Sequence, residues 1–200
     1  MRVSIVYDSG FGHTARIAQA VAEGVSEVGG AEALLMAVGD GPIAWDVLEA
    51  SDAIIFGSPT YNGLVSARFK QFMEDATKAA WTPQTWRNKV ASGFTNSGAH
   101  SGDKLNSLIS MALFAAQHGM IWVGLDLMPG NSRSTSSKDE LNRLGSWLGA
   151  MAQSNMDEGP DVAPIGSDLR TAAHLGRRVA EIAHRLMPKA TTASPDLLPA

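Results

Sequence analysis

Short unbroken apolar runs alternate along this chain with longer stretches whose apolar positions recur every three or four residues. Val3 to Tyr7 is the first such run and, being rich in β-branched residues, predicts a buried strand. From Ala15 the period changes. Ile17, Ala18, Val21, Ala22 and Val25 fall at i, i+3, i+4 spacing, and a helix is expected from Thr14 to Val28, where Gly29-Gly30 stops it. Ala31 to Val38 predicts a second strand, and Ile43 to Ala50 a short helix with Pro42 near its start. Ala53 to Gly57 is continuous in apolar residues, like a strand covered on both faces. Ser66 to Ala80 predicts a helix, Trp81 to Asn88 a loop and Lys89 to Phe94 a fourth strand. Asp103 caps a helix running to about Gln117, and Met120 to Leu127 predicts the fifth strand. Residues 129–168 are rich in Gly, Ser and Pro and read as irregular, with a weak helical patch at Lys138 to Leu144. The last helix opens at Asp168 or Leu169 and ends near Pro188. Residues 1–188 are expected to form one domain, with 189–200 a disordered tail.

Alternation of five strands with helices, through short links, predicts an α/β fold: a doubly wound parallel sheet with helices on both faces. Three small polar loops stand out, Asp8 to Thr14, Ser58 to Gly63 and Thr95 to Gly102. They follow strands 1, 3 and 4. In a sheet of order 2-1-3-4-5 those strands are neighbours at and beside the switch point, so all three loops converge at the ligand-binding end.

The first loop joins a strand to a helix start, where unpaired backbone N–H groups and the helix dipole favour an anion. Gly10 and Gly12 let the backbone approach closely, and Ser9, His13 and Thr14 add side-chain donors. The loop has no Lys or Arg, and no Gly-Lys-Ser/Thr follows, so it is not a P-loop. By itself it fits three readings: a phosphomonoester pocket such as FMN needs, a dinucleotide fingerprint (Gly10, Gly12 and Ala15, with Asp40 as the ribose acid), or an ordinary capped turn. The convergence of three loops favours the flavin over the dinucleotide.

Composition narrows the field. The 200 residues are 44% hydrophobic and 18% charged, a globular balance. A net charge of −4 argues against nucleic-acid binding and against attraction to anionic membranes. There is no cysteine, hence no disulfide framework, thiolate nucleophile or iron–sulfur cluster. No apolar run is long enough to span a membrane, and no signal peptide is recognisable, so a cytoplasmic protein is expected. No His/Asp/Glu cluster has metal-ligand spacing, so no metal is expected.

Five pieces in order, YDSGFGHT at 7–14, DAIIFGSPTY at 52–61, FKQFME at 69–74, FTNSGAHSG at 94–102 and HGM at 118–120, carry a family resemblance. The chain resembles the flavodoxin-like FMN proteins, and is most similar to the NAD(P)H:quinone oxidoreductases of the tryptophan-repressor-binding-protein type. The likeness covers residues 1–128 well; the segment from Gly145 to Asp168 has no match. It implies FMN, with NADH or NADPH as electron donor, a quinone or similar acceptor, and a homodimer or homotetramer. Ser9, Gly10, Phe11, Gly12, His13 and Thr14 match the family's phosphate loop. Pro59, Thr60 and Tyr61, with Asn62 and Gly63 beyond them, match a loop flanking the isoalloxazine ring. Thr95, Asn96, Ser97, Gly98, Ala99, His100 and Ser101 match a loop around its pyrimidine side. His118 matches a histidine that reaches the flavin, from its own or a neighbouring subunit, in a catalytic role, and Trp81 a tryptophan near the substrate space, which His100 is also expected to border.

Each of these side chains also has a plainer reading. Tyr61 suits a surface turn, His118 a helix C-cap, His100 a solvent-facing loop, His13 and Trp81 simple packing. FMN would carry the redox chemistry, and the protein would hold it and stabilise negative charge on its reduced ring through backbone N–H groups of residues 97–101. A flavodoxin-type carrier with a partner reductase is the alternative to the enzyme. The loops at 58–63 and 95–102 hold no acidic residue, which favours the enzyme over a carrier that docks a basic partner.

Overall fold

The computed structural model describes residues 1–187. Its elements are β1 (Arg2–Tyr7), α1 (His13–Ser26), β2 (Glu32–Ala37), α2 (Trp45–Glu49), β3 (Ala53–Tyr61), β4 (Leu64–Val65), α3 (Ala67–Ala76), β5 (Val90–Ser97), α4 (Lys104–Gln117), β6 (Ile121–Trp122), β7 (Ala150–Gln153) and α5 (Gly166–Leu186), with one π-helical turn at Thr77–Trp81. The main sheet runs β2-β1-β3-β5-β6, all parallel, which is the expected flavodoxin-like order with β5 as the fourth strand.

Successive residues of a strand face opposite sides, so one run of apolar residues supplies two cores. Val3, Ile5, Ala53 and Ile55 pack under α1 and α5. Val6, Ile54 and Phe56 pack under α3 and α4, in a cluster with Phe69, Phe72, Trp86 and Phe114. Phe56 meets Phe114 edge-on at 5.4 Å between ring centroids. Each such buried ring contributes about 1.5–3 kcal/mol.

Three differences from the sequence expectation bear on the site. First, β3 and β5 continue past Gly57 and Phe94, through Tyr61 and Ser97, so much of the second and third polar loops is strand. β3 then turns back as a hairpin with β4, through Asn62 and Gly63 at φ 50° and 83°. Asn-Gly with both residues at positive φ is the preferred two-residue hairpin turn.

Second, the fifth strand is split. β6 pairs only with Val90 and Ala91, while β7 pairs with Phe94 to Ser97 on the same edge of β5. Beyond Val123 the chain leaves the sheet, and Leu125 N–H donates to Trp147 O instead. β7 lies inside the segment expected to be irregular. It can enter there because Gly149 passes over Gly93, where a Cβ would stand 2.0 Å from the carbonyl oxygen.

Third, residues 138–144 form turns rather than a helix. Asn142 sits at φ 50° and its side chain donates to Leu127 O and Ser146 O, holding the chain in a local fold of its own. α5 starts at Gly166 and ends at Leu186. The expected end near Pro188 and the tail 189–200 lie outside the described residues.

Candidate functional site

The carboxyl ends of β1, β3 and β5 open onto a cavity of about 840 Å³. The β1 loop forms its first wall, through Gly10, Phe11, His13 and Thr14. Ser9 stands behind this wall: its Oγ accepts from Ala15 N–H at 3.1 Å and so fastens the start of α1. Gly12, at φ 88°, sets the turn into the helix. Among the described residues, the backbone N–H groups of residues 10–14 have no hydrogen-bond partner. They are a row of vacant donors at a helix N-terminus, and Thr14, 2% exposed, adds its hydroxyl. A Cβ at Gly10 would lie 2.6 Å from Tyr61 Oη, so any side chain there would displace the tyrosine.

The second wall is Pro59, Thr60, Tyr61 and Asn62. Burial, then the nearby Asp8 carboxylate, push the Tyr61 phenol above its ordinary pKa, so it stays a neutral donor. Asp8 itself is buried. Arg68 Nη2 lies 3.0 Å from its Oδ1, off the hydrogen-bonding direction. Thr60 Oγ1 lies 2.8 Å from both Thr95 Oγ1 and Ser107 Oγ, a buried hydroxyl chain that ties β3 to β5 and α4. Thr95 therefore supports the wall without lining the cavity. Gly63 stands at the hairpin tip, where its carbonyl accepts from Asn106 Nδ2 at 2.9 Å.

Asn96, Ser97 and Gly98 form the third wall. Ala99, His100 and Ser101 follow them on an exposed loop and do not line the cavity.

A fourth wall was not foreseen. Ser154, Met156, Asp157, Glu158 and Gly159, from the link between β7 and α5, close the side facing α1. Ser154 Oγ donates to Asn96 Oδ1, Ser154 N–H to Ser97 O, and Gln153 Nε2 to Gly98 O, so β7 is stitched to the third wall. His13 Nε2 donates to Glu158 O at 2.8 Å. Its ring thus joins the first and fourth walls rather than pointing only into an anion site. A Cβ on Gly12 would meet Pro160 Cγ at 2.8 Å, which shows how closely these walls pack. The only sequence signal for this wall was its Gly/Ser/Pro content, which says loop without saying where the loop lies.

Two expected contributors lie elsewhere. His118 is 3% exposed at the end of α4, with ring centroids 4.9 Å from Trp86 and 4.4 Å from Phe114. Its Nδ1 donates to Phe114 O; Nε2 has no partner of good geometry, although the Ala76 carbonyl is close enough to affect its proton. Burial lowers its pKa. The ring fits an apolar niche in the core and does not reach the cavity of its own chain. Trp81, 46% exposed at the end of the π-helical turn, does not line the cavity either.

Comparison with known proteins bears on what this cavity is. Residues 45–129 match the model of the NADPH-dependent FMN reductase family. Flavodoxin FldP of Pseudomonas aeruginosa is 46% identical over 91% of this chain and 96% of its own. A protein named NAD(P)H dehydrogenase (quinone) from Geobacter sulfurreducens is 36% identical over 93% of this chain and 99% of its own. The crystal structure of a flavodoxin, WrbA-like protein from Agrobacterium tumefaciens superposes at a TM-score of 0.71, with 38% identity over 92% of this chain and 98% of that one. The chain belongs to the flavodoxin-like FMN protein family. Its similarity to proteins of the WrbA and quinone dehydrogenase type extends across β7 and α5, well past residue 128, where the resemblance in sequence motifs stopped. Among the described residues no helix is long and apolar enough to cross a membrane.

Proposed function

We propose that this chain is an FMN-dependent oxidoreductase that passes two electrons, as hydride, from NAD(P)H to a quinone or similar acceptor. The observation that carries the reading is the four-walled cavity at the switch point, with vacant backbone donors at one end and an aromatic wall beside it. The residues fit FMN. A phosphate dianion needs several donors, and residues 10–14 offer free N–H groups with the Thr14 hydroxyl among them and no acidic side chain of their own. A flat ring needs an open slot, and the cavity of about 840 Å³ provides one, with Gly10 and Gly98 in its lining letting Tyr61 and Met156 lie close against the backbone.

FMN, when bound, supplies the hydride chemistry. The chain's residues do the rest. Residues 10–14 hold the phosphate through N–H groups whose dipoles add along α1. Tyr61, kept neutral, would flank the ring, and its partial exposure would leave a way in for nicotinamide and then quinone. Asn96 to Gly98, held by Gln153 and Ser154, would offer polar groups to the ring from the third wall. We place His13 in the role of a strut between walls. A homodimer or homotetramer belongs to the same proposal, supported by Leu105, Ile109 and Leu113, which form one exposed apolar row on α4.

Two observations favour a second reading, an electron carrier that relies on a partner reductase. Asp157 and Glu158 give the cavity an acidic rim that the other walls lack, and the 46%-identical relative is named a flavodoxin. One experiment separates the two. The protein is incubated with FMN, desalted, and its visible spectrum followed anaerobically as NADH or NADPH, then benzoquinone, is added. Flavin bands that bleach with pyridine nucleotide and return with quinone support the reductase. Retained bands that neither nucleotide bleaches favour the carrier, and a protein that retains no flavin at millimolar FMN overturns both.

A further inference from the structure

Lys104 opens α4 and is 1% exposed, the one lysine among the fully buried side chains of the described residues. Its ammonium is fully used. Nζ donates to Ser97 Oγ at 2.9 Å and to the carbonyls of Ala99 and His100 at 2.8 Å each. Ser97 Oγ donates in turn to Ala99 O at 2.9 Å. The loop after β5 is therefore wrapped around a buried positive charge. A peptide group is planar and its C=O and N–H point oppositely. Carbonyls of Ala99 and His100 turned toward Nζ leave the N–H groups of His100 and Ser101 turned away from it, and these have no partner among the described residues.

Burying an ammonium is costly unless something uses its charge. The groups facing Lys104 from other elements are Asp168 of α5, which favours its charge, and Arg143, which opposes it. Desolvation outweighs both, lowering its pKa to about 8, so the lysine is charged at neutral pH but not comfortably so. Asp168 is already engaged with Arg143 at 2.7 Å, which leaves the Lys104 charge without a carboxylate of its own. Ser97 Oγ and the two carbonyls take all three N–H groups of the ammonium but carry no negative charge to balance it.

We infer that Lys104 is a positioning residue for the flavin: its bond to Ser97, which lines the cavity, holds the third wall in place and sets a buried positive charge behind that wall, so that reduced, anionic FMN is held more tightly than oxidised FMN. This rests on the flavoprotein reading above. Pre-oriented dipoles and a fixed charge act most strongly where charge develops in a site of low dielectric. The neutral oxidised ring gains little from them, and the charged reduced ring gains more.

The test uses wild type, Lys104→Gln and Lys104→Met, each loaded with FMN. Affinity for oxidised FMN is measured by fluorescence titration, and the two-electron midpoint potential of the bound flavin by spectroelectrochemistry. Lys104→Gln keeps a hydrogen-bond donor and removes the charge. It is expected to change oxidised affinity less than threefold while weakening reduced FMN about tenfold more than oxidised, which is a fall of about 30 mV for a two-electron couple. Lys104→Met removes donor and charge, and is expected to weaken both forms and the reduced form more. If the methionine variant does not fold by circular dichroism, the glutamine variant carries the test. Equal weakening of both forms, with the potential unchanged, would reduce Lys104 to a loop prop and overturn the inference. Wild type that takes up no FMN would instead overturn the flavoprotein reading, so the two failures are distinguishable.

Discussion

The Arg143–Asp168 pair holds the fourth wall of the cavity and is worth breaking on purpose. Arg143 Nε and Nη2 donate to the two carboxylate oxygens of Asp168 at 2.7 Å each, and Asp168 Oδ2 also accepts from Gln153 N–H at 2.9 Å. The side chains are 6% and 2% exposed. Gln153 ends β7, and the cavity wall begins at Ser154. Removing one partner leaves the other charge buried and unpaired, at a cost of about 3–5 kcal/mol. Against a total stability of about 5–15 kcal/mol that is a large fraction. Arg143→Met and Asp168→Asn are each expected to lose that amount in urea unfolding followed by tryptophan fluorescence. The double variant, in which neither member of the pair is left charged without the other, should cost at least about 2 kcal/mol less than the sum of the singles, as coupled neighbours do. Amide exchange at residues 153–159 should quicken in the single variants. Singles that each cost under about 1 kcal/mol and simply add would refute the reasoning, because that is the behaviour of an exposed ion pair.

Three further outcomes follow from other parts of the molecule. Thr14→Val removes a hydroxyl from the vacant-donor loop and should weaken FMN by about 1.5–3 kcal/mol, the worth of a hydrogen bond to a charged group; an unchanged titration would take Thr14 out of the site. Gly24→Ala improves helix propensity, yet its Cβ would lie 1.8 Å from the Ala173 carbonyl oxygen where α1 crosses α5. Overpacking there should cost about 1–3 kcal/mol and lower Tm, whereas a raised Tm would mean that the helices separate freely. His118 is held neutral by burial, with its pKa below the ordinary 6.5. The unfolded chain therefore takes up this proton first, and unfolding free energy should fall as pH drops from 6.5 toward the folded pKa. Ring-proton NMR checks it: a His118 midpoint at or above 6.5 would contradict the packing described here.

Much of the site was legible before the fold. Gly10, Phe11, His13 and Thr14 line the cavity, as do Pro59 to Asn62 and Asn96 to Gly98, because each follows a strand whose apolar run announced it. Two residues expected from family likeness alone, outside the three loops, lie elsewhere. Trp81 and His118 sit outside the cavity, since an aromatic or imidazole ring goes where packing takes it, and a motif carries no direction. Met156 to Gly159 stayed hidden for the opposite reason: a polar segment without period has no face by which its neighbours can be inferred. Asn62-Gly63 lies in a stretch expected to be a polar loop, and the hairpin turn it makes explains why β3 outruns its apolar core.

The sequence by itself determined the alternation of strands and helices, the two-sided core and the convergence of three loops at one end of the sheet. These depend on local periods and on the handedness of crossovers, which act over a few residues or follow from chain geometry. Only the tertiary structure decided the split fifth strand, the fourth wall and the burial of Lys104. Each depends on contacts between residues far apart in the chain: Gly149 over Gly93, His13 against Glu158, Asp168 beside Arg143 and Gln153. A period of two or of 3.6 residues holds no record of such pairings, because their stabilisation exists only once the sheet has brought the partners together.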